Sequence, residues 1–339
     1  MVKAKEFGVG LENPDVKTFI RCARISEELG FRSFWVPEDP LFRGGFSLAS
    51  AIAASTTSIK IGLGIINPYT RHPALIAMEL AALDEVSGGR AILALGASVK
   101  GHIEGQLSIP YSKPGTAVRE TVAIIRKFFQ GEQFDYDGQL FKIRGAKFNF
   151  QPLRQKADLQ LGVLGPKNLQ LAGEVADGVL LSVMTSQAYA KYAMENVKQG
   201  AAAKGRNLDN FEVGAYLLIS MSDDDKSARE QIKPYLAMML SLLPMHGIVD
   251  HPILSCAGVG PDLARRFGES LAAGKIPVDM VEDWMIDEFA IAGTPARCRE
   301  GLARIIETGV THPICFEIAG ADPEKTIRDV HTHLMPHFL

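Results

Sequence analysis

The stretch Ile61-Gly62-Leu63-Gly64-Ile65-Ile66-Asn67-Pro68-Tyr69-Thr70-Arg71-His72-Pro73 reads as a buried strand that stops abruptly and hands over to a helix. Its apolar run has strand length. Glycines at alternate positions let the backbone approach a flat ligand without an intervening side chain. Asn67-Pro68 breaks the strand, and Pro73 suits the first turn of the next helix. In a parallel α/β barrel, an edge of this kind belongs to the catalytic face.

The same strand-to-helix rhythm repeats on both sides of this unit. Strands are expected over residues 6–11, 31–36, 59–66, 91–95, 159–163, 178–181, 211–220 and 313–318, with helices between them closed by glycines and opened by prolines. Residues 131–150, with Asp137-Gly138, read as a β-hairpin inserted after the fourth unit, and 223–290 as a helical insertion between strands seven and eight. Met238, Met239 and Met245 within it are expected to be packed core rather than pocket wall. Eight such strands predict an α/β fold, a single (β/α)8 TIM-type barrel domain over 1–339. The other candidate, a doubly wound sheet, lacks a G-x-G-x-x-G after its first strand.

The 339 residues carry a formal charge of -3 and are 47% hydrophobic, which offers no electrostatic basis for binding nucleic acid or an anionic membrane. No apolar run reaches the roughly 18 residues that span a bilayer. Four scattered cysteines without a C-x-x-C pair suit reduced thiols, so a cytoplasmic protein is expected. No metal is expected. His331 and His333 would point about 200° apart on a helix, with no further ligand at suitable spacing.

Four segments make the chain resemble the luciferase-like superfamily, in particular its coenzyme F420-dependent branch, and most nearly methylenetetrahydromethanopterin reductase. They are IKIGLGIINPYTRHP (59–73), LDEVSGGRAILALG (83–96), LGVLGPKNLQLAGEVADG (161–178) and AGTPA (292–296). The resemblance implies a flavin-like ring at the C-terminal strand ends, backed by a bulge formed by Gly64, Ile65, Ile66 and Asn67, with a non-proline cis bond at Gly64-Ile65. It further implies cofactor contacts from Gly96, Ala97, Ser98 and Lys100 after strand four and from Gly162 and Val163 at strand five. Gly165, Pro166, Lys167 and Asn168 then open a helix whose free N–H groups suit a phosphate. A homodimer is implied as well.

Two departures bear on the proton donor. Many deazaflavin members end the second strand with Asp-His, where this chain has Glu38-Asp39, so Glu38 is the first candidate for a proton donor. The reductases carry an acid on strand one where this chain has Gly10. Glu12, two residues on, would share its face if the strand continues, and is the second candidate; a solvent-facing position at the helix start is the other reading. His102 is a minor candidate. The expected activity is hydride transfer between coenzyme F420 and a substrate on its open face, a methylene-pterin being the simplest. An FMN-dependent luciferase-like monooxygenase and a non-catalytic flavin-binding protein are the alternatives.

Overall fold

The computed structural model describes residues 3–39, 41–316 and 322–339. Its strands are β1 (Gly8–Gly10), β2 (Ser33–Val36), β3 (Lys60–Ile66), β4 (Ala91–Leu95), β5 (Phe134–Asp137), β6 (Lys142–Ala146), β7 (Asp158–Leu161), β8 (Gly178–Leu181), β9 (Glu212–Met221), β10 (Ala290–Gly293) and β11 (His312–Phe316). Eight of them pair in parallel in the order β11-β1-β2-β3-β4-β7-β8-β9, and β9 returns to β11, closing the barrel. The expected (β/α)8 architecture is therefore present. The expected end of the eighth strand at residue 318 lies outside the described residues.

The closing strand is also the longest. Gly214 to Leu218 of β9 pair with β11, and Glu212 to Ala215 pair with β8. Leu218 pairs with both Phe316 of β11 and Ala290 of β10, so β10 must lie on the edge of β9 that faces away from β11. This strand was not anticipated. Its sequence, AIAG, is only four residues long with a single β-branched side chain, Ile291, and its partner is the overhang of β9 above the end of β8. Strands β5 and β6 form the expected hairpin. The loop between them spans four residues, and Glu120 accepts the backbone N–H groups of Gln139, Leu140 and Phe141, tying the loop to the helix Pro114–Gln130.

Glycines also shape the barrel interior. A Cβ on Gly62 would lie 2.2 Å from Trp35 Cδ2, so Gly62 makes room for the fully buried indole that fills the barrel centre. Below the indole the interior is polar. Trp35 Nε1 donates to Ser33 Oγ (2.9 Å), which lies 2.7 Å from His312 Nε2, and His312 Nδ1 lies 2.8 Å from Glu212 Oε1. Gln160 Nε2 donates to the same carboxylate oxygen at 2.6 Å, and Lys60 bonds both oxygens of Glu6. Among the described residues, no helix is long and apolar enough to cross a membrane.

Candidate active site

Above Trp35 the C-terminal strand ends surround a cavity of about 770 Å3. Its lining is mostly apolar, the common character of a small-molecule site. Among the residues expected to form the site, Glu12, Glu38, Gly64, Ile65, Gly162 and Val163 line it. The peptide bond between Gly64 and Ile65 is cis. The pairing of β3 with β4 slips between Gly64 and Ile66, which is the bulge. Tyr216 on β9 donates its hydroxyl to Gly64 O at 3.3 Å, fixing the carbonyl of that bond. The Ile65 side chain fills a notch cut by two other strands. A Cβ on Gly96 would lie 2.4 Å from Ile65 Cδ1, and one on Gly162 2.3 Å from Ile65 Cγ2. Gly96 and Gly162 are thus required by Ile65 first.

Ile66 is buried in the core, and Asn67 Oδ1 accepts the N–H groups of Tyr69 and Thr70 in a side-chain turn. Ala97 and Ser98 lead out of β4 without lining the cavity, Ser98 with φ +55°. Lys100 is largely exposed, and its ammonium pairs with Glu104 at 3.4 Å, four residues on in the six-residue π-helix Gly101–Gln106. Gly165 begins the helix Pro166–Val175 with no side-chain cap; Lys167 is exposed, and Asn168 Oδ1 packs over Gly115.

Glu38 lies in the cavity wall with its carboxylate already engaged. Arg71 reaches Oε1 at 2.7 Å, and Gly45 N–H donates to Oε2 at 2.6 Å, so Glu38 ties Arg71 to the start of the helix Gly45–Ser55. Arg71 also reaches Glu79 at 3.0 Å and lies over the Phe46 ring. Both oxygens of Glu38, the first candidate for the proton donor, thus have partners within the protein.

Glu12 and Asp39 differ. Both carboxyls line the cavity. Desolvation lifts Glu12 above its ordinary 4.5, a hydrogen bond from Tyr235 pulls the other way, and Asp39 adds to the rise. Asp39 is exposed and lines the cavity. Desolvation lifts it above 3.8, His102 pulls it down and Glu38 pushes it further up. Of the two readings of Glu12, the cavity-facing one holds; Asp15, not Glu12, caps the first helix.

Asp39, Tyr216, Tyr235 and Arg71 were not anticipated as site residues. The residue type at Asp39, a second carboxylate beside Glu38, was the only sequence signal. Met238 and Met239 correct a further expectation, since they line the cavity; their helix, Asp225–Met245, crosses the barrel mouth, and an apolar wall there is patterned like core.

The family described as luciferase-like monooxygenase matches residues 2–312. The chain is 32% identical over 326 residues to the 5,10-methylenetetrahydromethanopterin reductase of Methanolobus tindarius, covering 95% of this chain and 97% of that one. It is 33% identical over 331 residues to the enzyme of the same name from Archaeoglobus fulgidus, again covering 95% and 97%. The structure of the coenzyme F420 dependent tetrahydromethanopterin reductase from Methanopyrus kandleri superposes with a TM-score of 0.89 at 28% identity, covering 99% of this chain and 100% of that one. The chain belongs to the luciferase-like monooxygenase family and, within it, is similar over nearly its whole length to the 5,10-methylenetetrahydromethanopterin reductases.

Proposed function

We propose that this protein is a coenzyme F420-dependent reductase that moves a hydride between the deazaflavin and a methylene-pterin, as the names of its relatives describe for them. The observation that carries the reading is the cavity itself: about 770 Å3, backed by the cis bulge at Gly64-Ile65 and faced by two carboxyls with raised protonation. The donor set fits a flat anionic cofactor. Gly64 and Ile65 present backbone behind a ring, Gly162 and Val163 border it, and the uncapped helix start at Gly165 with Lys167 beside it offers N–H groups and charge to a phosphate. Gly96, Ala97 and Ser98 act one step back by seating Ile65 and the loop that follows.

When bound, the deazaflavin supplies a hydride at its ring carbon. The chain's own residues do the rest. The bulge and Met238–Met239 would flank a bound ring, the helix Asp225–Met245 would keep water from it, and Glu12 with Asp39 would hold the proton that the reduced substrate's nitrogen takes. The charge of Asp39 adds to the desolvation that raises Glu12, which favours its protonated form. Glu38, fixed by Arg71, positions Asp39.

We further propose a homodimer in the cytoplasm. Leu75 (49% exposed), Met78 (46%) and Val86 (50%) form an apolar stripe on the helix Pro73–Ser87, beside the small-residue face of Gly45–Ser55. A second copy is the economical cover for such a face. Met78→Glu should convert a dimer to a monomer in analytical ultracentrifugation. All four cysteines are free, as suits a reducing compartment.

Absorbance titration with oxidised coenzyme F420 and with FMN tests the cofactor. Tighter binding of the deazaflavin is expected. Binding of FMN with none of the deazaflavin would overturn the proposal.

A further inference from the structure

An acid pair that gives up a proton in every turnover must regain it. Glu12 and Asp39 share the cavity with one imidazole, the side chain that changes charge near neutral pH. His102 is carried on the π-helix Gly101–Gln106, a local irregularity often found at functional sites. Its ring stands edge-on to His246, with 6.3 Å between centroids and 88° between planes. His246 caps the far end of the helix Asp225–Met245 and is exposed to solvent. Gly101 permits the approach, because a Cβ there would lie 2.7 Å from His246 Cε1.

The loop is held in place by neighbours other than the histidines. Tyr111 donates its hydroxyl to Ser98 O (3.2 Å) and its N–H to Glu104 (3.2 Å), and its ring lies 4.8 Å from that of Tyr69. Three elements bring charged or titratable groups toward His102. Asp39, with Glu38 behind it, comes from the end of β2; His246 comes from the long helix; Lys100 and Glu104, on its own segment, pair with each other. Among the described residues, no hydrogen bond engages a ring nitrogen of either imidazole.

Resting on the reading of the site as a deazaflavin reductase, we propose that His246 and His102 form a proton path from solvent to the Glu12–Asp39 pair, with His102 as the positioning residue at its inner end. The step balances. Reducing a methylene bridge to a methyl group adds a hydride to carbon and breaks one C–N bond, whose electron pair stays on nitrogen and takes the proton of the acid pair. His102 returns a proton to the pair, and water returns one to His102 through His246. Oxidation of a reduced deazaflavin releases one proton with its hydride, so the whole cycle is neutral in protons.

The test is turnover of reduced coenzyme F420 with 5,10-methylenetetrahydromethanopterin by the full-length holoenzyme carrying His102→Gln. A fall in kcat of about tenfold that grows with pH, an unchanged KM, and recovery of at least half the lost rate with added imidazole are expected, on the low side of general acid–base effects. His246→Gln, on the surface, should show the same pH trend more weakly. An unchanged kcat, or a loss equal at every pH and unresponsive to imidazole, overturns the path. A second arm needs no turnover. In nitrogen-15 spectra the His102 ring signals should respond to the ionisation of Asp39 and lose that response in Asp39→Asn; no response in the wild type overturns the path. A wild-type protein that turns nothing over while the His102 signals respond contradicts the proposed function and leaves the contact established.

Discussion

The two ends of the barrel use the same residue types to opposite effect. At the lower end Glu212 lies against His312, Gln160 and Lys60. Burial pushes its carboxyl up, but the hydrogen bond and charge of His312, aided by Lys60 and Gln160, outweigh that and hold it below its ordinary 4.5. At the upper end Glu12 and Asp39 face a cavity, and the same desolvation meets too few partners to be offset. An acid with a full set of donors is structure; an acid desolvated without one is raised toward the range in which it can exchange a proton. The Trp35 indole, lodged against Gly62, separates the two layers.

The sharpest way to break this comparison is at the upper end. Glu12→Gln should lower turnover by about 100- to 10,000-fold, the range for a lost general acid, while the denaturant midpoint stays at or above that of the wild type. A matching loss of stability would place Glu12 with the lower group. Glu212→Ala should behave in reverse. It strands His312 and Gln160 in the interior, costing about 3 kcal/mol in denaturant unfolding, with turnover per folded molecule preserved. Gly62→Ala tests the partition. Its Cβ would sit 2.2 to 2.6 Å from three indole atoms, and overpacking of this kind costs about 1–3 kcal/mol.

The smallest effect is in the pH dependence of stability. Glu212 has a lowered pKa, so its contribution is present above 4.5 and is lost as pH falls through the lower folded value. Asp39 has a raised pKa, so the folded state binds the extra proton, and stability falls as pH rises from 3.8 through the folded value. Asp39→Asn should flatten that decline on the acidic side of neutrality and leave the acid limb set by Glu212 in place, as read from unfolding curves across pH.

The barrel was legible because its units are punctuated locally. Glycines close the helices, prolines open them, and the eight barrel strands fall within a few residues of their expected bounds. The site was legible only in part. Glu12 could be found because a carboxylate directly beyond an apolar strand has few places to go but the mouth. The cis bond at Gly64-Ile65 followed from resemblance. Asp39, Tyr216 and Tyr235 meet across the barrel from separate strands and a long helix, and no local pattern records such convergence. Met238 and Met239 were read as core because a residue facing an apolar cavity has the same periodicity as one facing core. Strand β10 escaped because its pairing comes from the overhang of β9.

The central claim is that the upper carboxyls are shifted up and the lower one down from their ordinary ranges. Carbon-13 side-chain carboxyl spectra recorded across pH read this directly. Glu12 and Asp39 should titrate above 4.5 and 3.8, with linked curves, and Glu212 below 4.5. Glu12 and Asp39 titrating below those values, or independently of one another, would contradict the account.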